Sequence, residues 1–119
     1  MRSDDTVFRV IPVFLGALLG VGYAACSSSP GQQVYLDSGC ARCHGANFSG
    51  TRLGPPLAGL RVTWGREELV RFLKDPSAYT RRDPRLKALA ARYQVSMPKF
   101  AMEEKTRLML AEFLLAETE

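Results

Sequence analysis

The distribution of apolar residues divides the chain into two unequal parts. Residues 10–26 form an almost uninterrupted apolar run, whereas the remainder of the 119-residue chain mixes apolar and polar positions. A polar stretch containing Arg2 and Arg9 precedes the run, and this order is typical of an export segment. The predicted parts are a signal peptide or lipoprotein anchor over residues 1–26, a short linker over 27–30 and one folded domain over 31–119.

The end of the apolar run is compatible with three forms of the exported protein. Cys26 follows two alanines and precedes three serines, which resembles the acylation site of bacterial lipoproteins, although Tyr23 stands where that site usually has a leucine-like residue. The alternatives are a lipid on Cys26, an uncleaved helix, and cleavage to a soluble form; seventeen apolar residues are near the short limit for a membrane span. We expect the domain on the periplasmic side of a bacterial membrane, anchored to it.

The first predicted helix of the folded domain has a clear start. Ser29 followed by Pro30 is a typical pair of N-cap and first-turn residues. A helix over about 30–40 would place Gly31, Val34 and Tyr35 on one side.

The remaining pattern predicts three more helices and two long loops, and it contains no strand period. The first of these loops is rich in Gly, Pro, Ser and Asn and has no apolar period, and long ordered loops commonly wrap a ligand. The predicted helices run from about Glu67 to before Pro76, from Asp83 and Pro84 through Leu86, Leu89, Ala90 and Tyr93, and over about 102–116 with Met109, Leu110, Phe113 and Leu114 on one face; the loops are residues 45–62 and 93–101. The fold class is therefore all-α, with four or so short helices.

Charge narrows the choice of partners. Residues 27–119 carry fourteen Lys and Arg against ten Asp and Glu, a positive balance of four. Such a balance suits docking to an acidic protein or to anionic lipid, and without interleaved aromatic residues it does not favour nucleic acid. The densest basic stretch is either a docking face or a solvated face, and it comprises Arg81, Arg82, Arg85 and Lys87.

One short motif carries the chemistry of the chain. Residues 40–44 read Cys-Ala-Arg-Cys-His, the attachment sequence for a c-type haem, in which the thiols of Cys40 and Cys43 form thioethers with the haem vinyl groups and His44 binds the iron. A zinc site would need a fourth ligand, but His44 is the only histidine and Cys26 the only other cysteine. A dithiol redox centre would need strands alternating with helices. We predict one covalently bound haem c.

The sixth iron ligand is predicted by elimination. With one histidine in the chain, ligation by two histidines is excluded, and methionine is the leading candidate. Met109 belongs to the apolar stripe of the last helix, and Met102 opens that helix. Met97 lies in a loop and is followed by the stiff Pro98. We predict Met97 as the ligand, with Met102 and an open or water-bound site as alternatives.

At this point the sequence resembles the class I cytochrome c family, over about Gly31 to Leu115. The matching features, in chain order, are Gly31-x-x-x-Tyr35, the Cys40–His44 motif, Gly54-Pro55-Pro56-Leu57-Ala58-Gly59, Met97-Pro98 and the final helix. The resemblance implies a cytochrome c-like fold wrapped around one covalently bound haem. It also implies that Gly31 and Tyr35 cross the last helix at Leu110 and Phe113.

The same resemblance implies further haem-contacting residues. Pro55 matches the proline whose carbonyl oxygen accepts a hydrogen bond from the proximal histidine, with Pro56 as the alternative. Leu57 and Trp64 match residues of the haem pocket, and for Trp64 an ordinary core position is the alternative. Ala101 stands where the family usually has an N-capping residue for the last helix.

These features favour an electron carrier, because a haem iron with two protein ligands offers no place for a substrate. The expected partners are redox proteins of the periplasm or membrane, a membrane respiratory complex among them, with no nucleic acid. We find no paired carboxylates or nucleophile and base near the motif, so the expected protein is not an enzyme. The alternatives are a gas-binding or peroxide-reacting haem protein with a labile sixth site, and a fixed haem subunit of a larger oxidoreductase.

Overall fold

All regular structure in the described part of the chain is helical. The computed structural model describes residues 27–119, so the predicted export segment and Cys26 lie outside the described residues. The helices are α1 (Pro30–Asp37), α2 (Ala41–His44), α3 (Leu60–Thr63), α4 (Arg66–Lys74), α5 (Pro76–Arg82), α6 (Pro84–Ala90) and α7 (Glu104–Glu117). Across these residues no strand occurs, and Thr51 and Gly54 form an isolated antiparallel bridge. The predicted all-α class is confirmed.

Capping residues explain where several helices begin. Ser29 accepts a hydrogen bond from the Gln32 amide at 3.2 Å, and Pro30 is the first residue of α1, as predicted. Pro30 therefore belongs to the helix and not to the linker. Asp83 accepts from the Arg85 amide at 2.8 Å at the start of α6. Proline favours the first turn because its missing N–H group would be unpaired there in any case.

Three short helices are additional to the four that the sequence predicts. α2 lies within the Cys40–His44 motif, and α3 interrupts the predicted loop over 45–62. α5 begins at Pro76, which the sequence pattern indicates only as the end of α4. Asp75 caps α5 by accepting from the Ala78 amide at 3.0 Å. An Asp-Pro pair that ends one helix thus also begins the next.

The last helix begins later than predicted. α7 starts at Glu104, and its N-cap is Glu103, whose side chain makes no capping hydrogen bond. Ala101 is therefore not the N-cap, and Met102 precedes the helix rather than opening it. The shift leaves Met102 in the same irregular segment as Met97.

The crossing of α1 and α7 forms the centre of the fold. A Cβ atom added to Gly31 would lie 2.2 Å from the Phe113 Cβ and 2.6 Å from the Met109 carbonyl oxygen. Only glycine permits this close approach of the two helices. Phe113 and Gly31 thus meet as the family resemblance implies.

A compact apolar core surrounds this crossing. α4 also packs against α7, and the most deeply buried apolar side chains of the three helices are Tyr35, Leu69, Leu73, Leu110, Ala111 and Leu114. None of the helices between residues 27 and 119 combines the length and apolar character that a membrane span requires. The loop after α2 packs on this core through Phe48 and Leu57.

Candidate haem-binding site

The two thiols of the motif lie on one helical turn. Cys40 is the N-cap residue of α2 with helical backbone angles, and the Cys43 amide donates to its carbonyl oxygen at 3.2 Å. Residues three apart share a helix face, so the two thiols project from the same side. Cys40 is buried and Cys43 half-buried, and neither is in a disulfide.

His44 ends α2 and has one ring nitrogen fixed. Its Nδ1 lies 2.8 Å from the Pro55 carbonyl oxygen. Because a carbonyl oxygen only accepts, Nδ1 carries the proton and donates, which leaves the Nε2 lone pair free for a metal. Burial lowers the pKa of His44, and the hydrogen bond to Pro55 opposes that effect in part. Burial therefore favours the neutral imidazole, the form that binds iron. Of the two prolines considered, Pro55 is the acceptor.

Three successive carbonyl groups at the end of α2 each accept a hydrogen bond. The pairs are Cys43 with the Thr51 hydroxyl (2.8 Å), His44 with the Gly50 amide (2.8 Å) and Gly45 with the Tyr35 hydroxyl (2.6 Å). Carbonyl groups at a helix end have no partner within the helix and need such donors. The backbone around the histidine is thus fixed from both the following loop and α1.

The loop that carries Pro55 passes directly against α2. A Cβ atom on the buried Gly54 would lie 3.0 Å from both the Cβ and the carbonyl oxygen of Cys43. Glycine at this position lets the loop come close enough for the next residue, Pro55, to reach His44. Leu57 follows half-buried against the core, and its amide donates to the Phe48 carbonyl oxygen at 2.9 Å. Leu57 thus lies on the same loop as Pro55.

The methionines occupy different environments. Met97 lies in the irregular segment before α7 and packs half-buried against the core. Met102 also packs against the core and lines an open cavity of about 540 Å³ between α1 and the start of α7, together with Val34 and Phe100. Met109 lies within α7 at its crossing with α1. The assignment of Met97 as the sixth ligand stays a prediction.

Trp64 belongs to a second aromatic cluster. Its ring centroid lies 4.8 Å from that of Phe72 and 6.4 Å from that of Tyr79, and it is buried. The guanidinium carbon of Arg85 lies 5.1 Å from the Trp64 centroid, within the range of a cation–π contact. These contacts agree with a core role for Trp64, and its place in the haem pocket stays a prediction.

Two polar contacts, one next to His44 and one at the alternative ligand Met102, are not predicted from the sequence. The first is the hydrogen bond from the Tyr35 hydroxyl to Gly45, since Tyr35 is predicted only as a packing residue. The second is the hydrogen bond from the Arg107 guanidinium to the Met102 carbonyl oxygen. Arg107 Nε is buried and has no partner among the described residues. An arginine three residues before Leu110, on the apolar face of α7, is the signal that indicates the second contact.

Comparison with known protein families places the chain among haem proteins. The family model described as Cytochrome c matches residues 28–117. The chain therefore belongs to the cytochrome c family, whose members bind haem c covalently and generally transfer electrons. Comparisons with curated proteins and with solved structures gave no significant match.

The donor set fits a covalent haem. Two thiols share one helix face, and the neighbouring imidazole offers Nε2 while Pro55 holds its other nitrogen. Attachment of the haem through two thioethers requires the two thiols on one side, and iron ligation requires the free Nε2 of the imidazole. A bound haem supplies an iron that alternates between the ferric and ferrous states by one electron.

Proposed function

We propose that the protein carries single electrons on one haem c whose iron is ligated by His44 and Met97. The observation that carries the proposal is the hydrogen bond of 2.8 Å between His44 Nδ1 and the Pro55 carbonyl oxygen. It selects the tautomer and restrains the ring of a histidine that directly follows both attachment cysteines. Such restraint suits an iron that changes oxidation state without changing ligands.

The proposed pair of iron ligands also favours a carrier over an enzyme. With His44 on one haem face and Met97 on the other, neither face would be open to a substrate. The same two ligands would serve both oxidation states, so little rearrangement would accompany electron transfer. A thioether sulfur and an apolar surround both favour ferrous iron, which raises the reduction potential.

Reversible redox cycling tests this function. The purified holoprotein should titrate with a one-electron Nernst slope, and its ferric and ferrous spectra should return unchanged after repeated cycles. A spectrum that changes with each cycle, or rapid turnover of added hydrogen peroxide, would support the peroxide-reacting alternative instead.

The expected location is the periplasmic side of a bacterial membrane, with the domain held there through residues 1–26. Support comes from the apolar run and from the two alanines before Cys26. Cys26 is three residues from Ser29, which caps α1, so a tether attached there would be roughly 10 Å long at full stretch. A haem domain on so short a tether would exchange electrons with membrane-bound or periplasmic redox proteins.

A Cys26→Ser variant distinguishes the anchors. If a lipid on Cys26 holds the protein, covalent haem stain should move from the membrane fraction to the soluble fraction, because the acyl chains are lost. A Ser27→Ala variant is the matched control and should stay with the membrane. Membrane retention of Cys26→Ser would instead support an uncleaved helix, and a soluble wild-type protein would contradict anchoring altogether.

The partners are proposed to be redox proteins with an acidic face. Arg81, Arg82, Arg85 and Lys87 are all exposed on α5 and α6, where they can attract such a face. Copurification of the tagged, membrane-extracted protein would identify the donor and acceptor. A stoichiometric complex that survives high salt would favour a fixed subunit over a mobile carrier.

A further inference from the structure

The Tyr35 hydroxyl has a role that packing does not explain. The Tyr35 side chain is only 1% exposed, and its ring packs against Phe48 and Phe113 at centroid distances of 5.1 and 6.2 Å. A phenylalanine would fill the same space between these rings. The packing of the ring therefore does not require the hydroxyl, and the hydrogen-bond partner of the hydroxyl indicates its role.

That partner is the backbone immediately after the proposed iron ligand. The hydroxyl donates to the Gly45 carbonyl oxygen at 2.6 Å. Gly45 has φ 81° and ψ 150°, a conformation open almost only to glycine, and a glycine can leave it readily when nothing holds it. The Phe48 amide also donates to the Gly45 carbonyl oxygen, at 3.2 Å, so the Tyr35 hydroxyl provides the shorter of the two hydrogen bonds that hold this carbonyl.

Tyr35 belongs to a different part of the fold from the donors to the two neighbouring carbonyl groups. The donors to the Cys43 and His44 carbonyls, Thr51 and Gly50, belong to the loop that follows α2. Tyr35 belongs to α1 and is buried in the crossing with α7. Among the side chains that donate to these three carbonyls, Tyr35 is thus the one that comes from the packed pair of α1 and α7. It restrains the backbone next to His44 independently of the loop that follows α2.

The hydroxyl stays a donor at all physiological pH values. Burial, followed by the nearby Cys40 and Cys43 thiols, raises the pKa of Tyr35 to about 12. The phenol therefore keeps its proton, and the contact to Gly45 persists over the pH range in which the protein would work.

We propose that Tyr35 is a positioning residue for His44, and that its hydroxyl maintains the hydrogen bond between His44 Nδ1 and Pro55. This inference rests on the proposed iron ligation by His44. Without the hydroxyl, the Gly45 carbonyl oxygen keeps only the longer hydrogen bond from the Phe48 amide. Its peptide then reorients more readily, and the histidine ring shifts relative to the Pro55 carbonyl. A weaker bond at Nδ1 makes the imidazole a poorer electron donor, which favours ferrous iron.

A Tyr35→Phe variant of the holoprotein tests the proposal. The substitution keeps the ring and removes one hydrogen bond. In the ferrous protein, NMR should show exchange of the His44 Nδ1 proton with solvent that is faster by about five- to tenfold, the factor expected for one hydrogen bond. The reduction potential should rise. Exchange of the Leu110 and Leu114 amide protons with solvent reports any general loss of stability, and this exchange should accelerate less than that of the Nδ1 proton.

A matched variant separates this role from the loss of a phenol. Tyr79 lies half-buried in the other aromatic cluster, 6.1 Å from Phe72 between ring centroids, and Tyr79→Phe should change neither Nδ1 exchange nor the potential. The positioning role is wrong if Tyr35→Phe accelerates solvent exchange of the Nδ1 proton no more than that of the α7 amide protons. It is also wrong if the reduction potential of the variant equals that of the wild type or lies below it. Wild-type ferric protein whose His44 ring protons lack strong paramagnetic shifts would contradict the ligation itself.

Discussion

Replacing Met97 by alanine is expected to convert the haem iron into an open site. The thioether that favours ferrous iron and blocks one haem face would be lost. The reduction potential should fall, the weak long-wavelength charge-transfer band of the ferric protein should disappear, and the ferrous protein should bind carbon monoxide stoichiometrically where wild type binds little. Optical titration with carbon monoxide and potentiometry measure these effects.

Met102→Ala is the matched control for this prediction. Met102 precedes α7 and packs partly against the same core as Met97, so its loss removes a sulfur and a similar apolar surface from a nearby position. The variant should keep the charge-transfer band and exclude carbon monoxide. If Met102→Ala loses the band and Met97→Ala keeps it, the ligand is Met102 and the assignment here is wrong.

A Cys40→Ala, Cys43→Ala double variant is expected to lose covalent haem completely. Both thioethers would be absent, and the haem would be held only by the coordination bonds from His44 and Met97, which acid breaks. Mass spectrometry of the denatured wild-type protein should show one haem added to the chain, and the double variant should show none after extraction with acidified acetone.

The control lies within the same motif. Arg42 is exposed between the two cysteines, and Arg42→Ala should retain one covalent haem. Haem that remains in the double variant after extraction would mean that the thioethers are not where the motif predicts them. The proposed function would then lose its chemical basis.

The sequence predicts those features that depend on local pattern. The start of α1 at Pro30 follows from the adjacent Ser29, and α6 follows from the pair of Asp83 and Pro84. The all-α class and the covalent haem of the family are likewise predictable, because apolar spacing and the Cys40–His44 motif each have a specific physical requirement.

Features that depend on tertiary contacts are not predictable in the same way. The choice between Pro55 and Pro56 depends on how closely Gly54 lets the loop approach Cys43, a distance that the residue spacing does not determine. The hydrogen bond from Tyr35 to Gly45 joins residues ten positions apart, and only the packing of α1 against the loop creates it. A polar group placed on an apolar helix face signals such a contact without identifying its partner.

The late start of α7 is also not predictable from helix preference. Intrinsic preference allows a helix from about residue 102, but α7 begins at Glu104, and the Met102 carbonyl oxygen accepts from the Arg107 side chain five residues later.

Exposure of the wild-type ferrous protein to carbon monoxide, together with the ferric near-infrared spectrum, distinguishes an iron with two protein ligands from an iron with an open site. With His44 and Met97 both on the iron, the ferric protein should show the sulfur charge-transfer band, and the ferrous protein should not bind carbon monoxide at neutral pH. Ready binding of carbon monoxide by a wild-type protein that lacks the band would contradict the electron-carrier account and support a gas-binding haem protein.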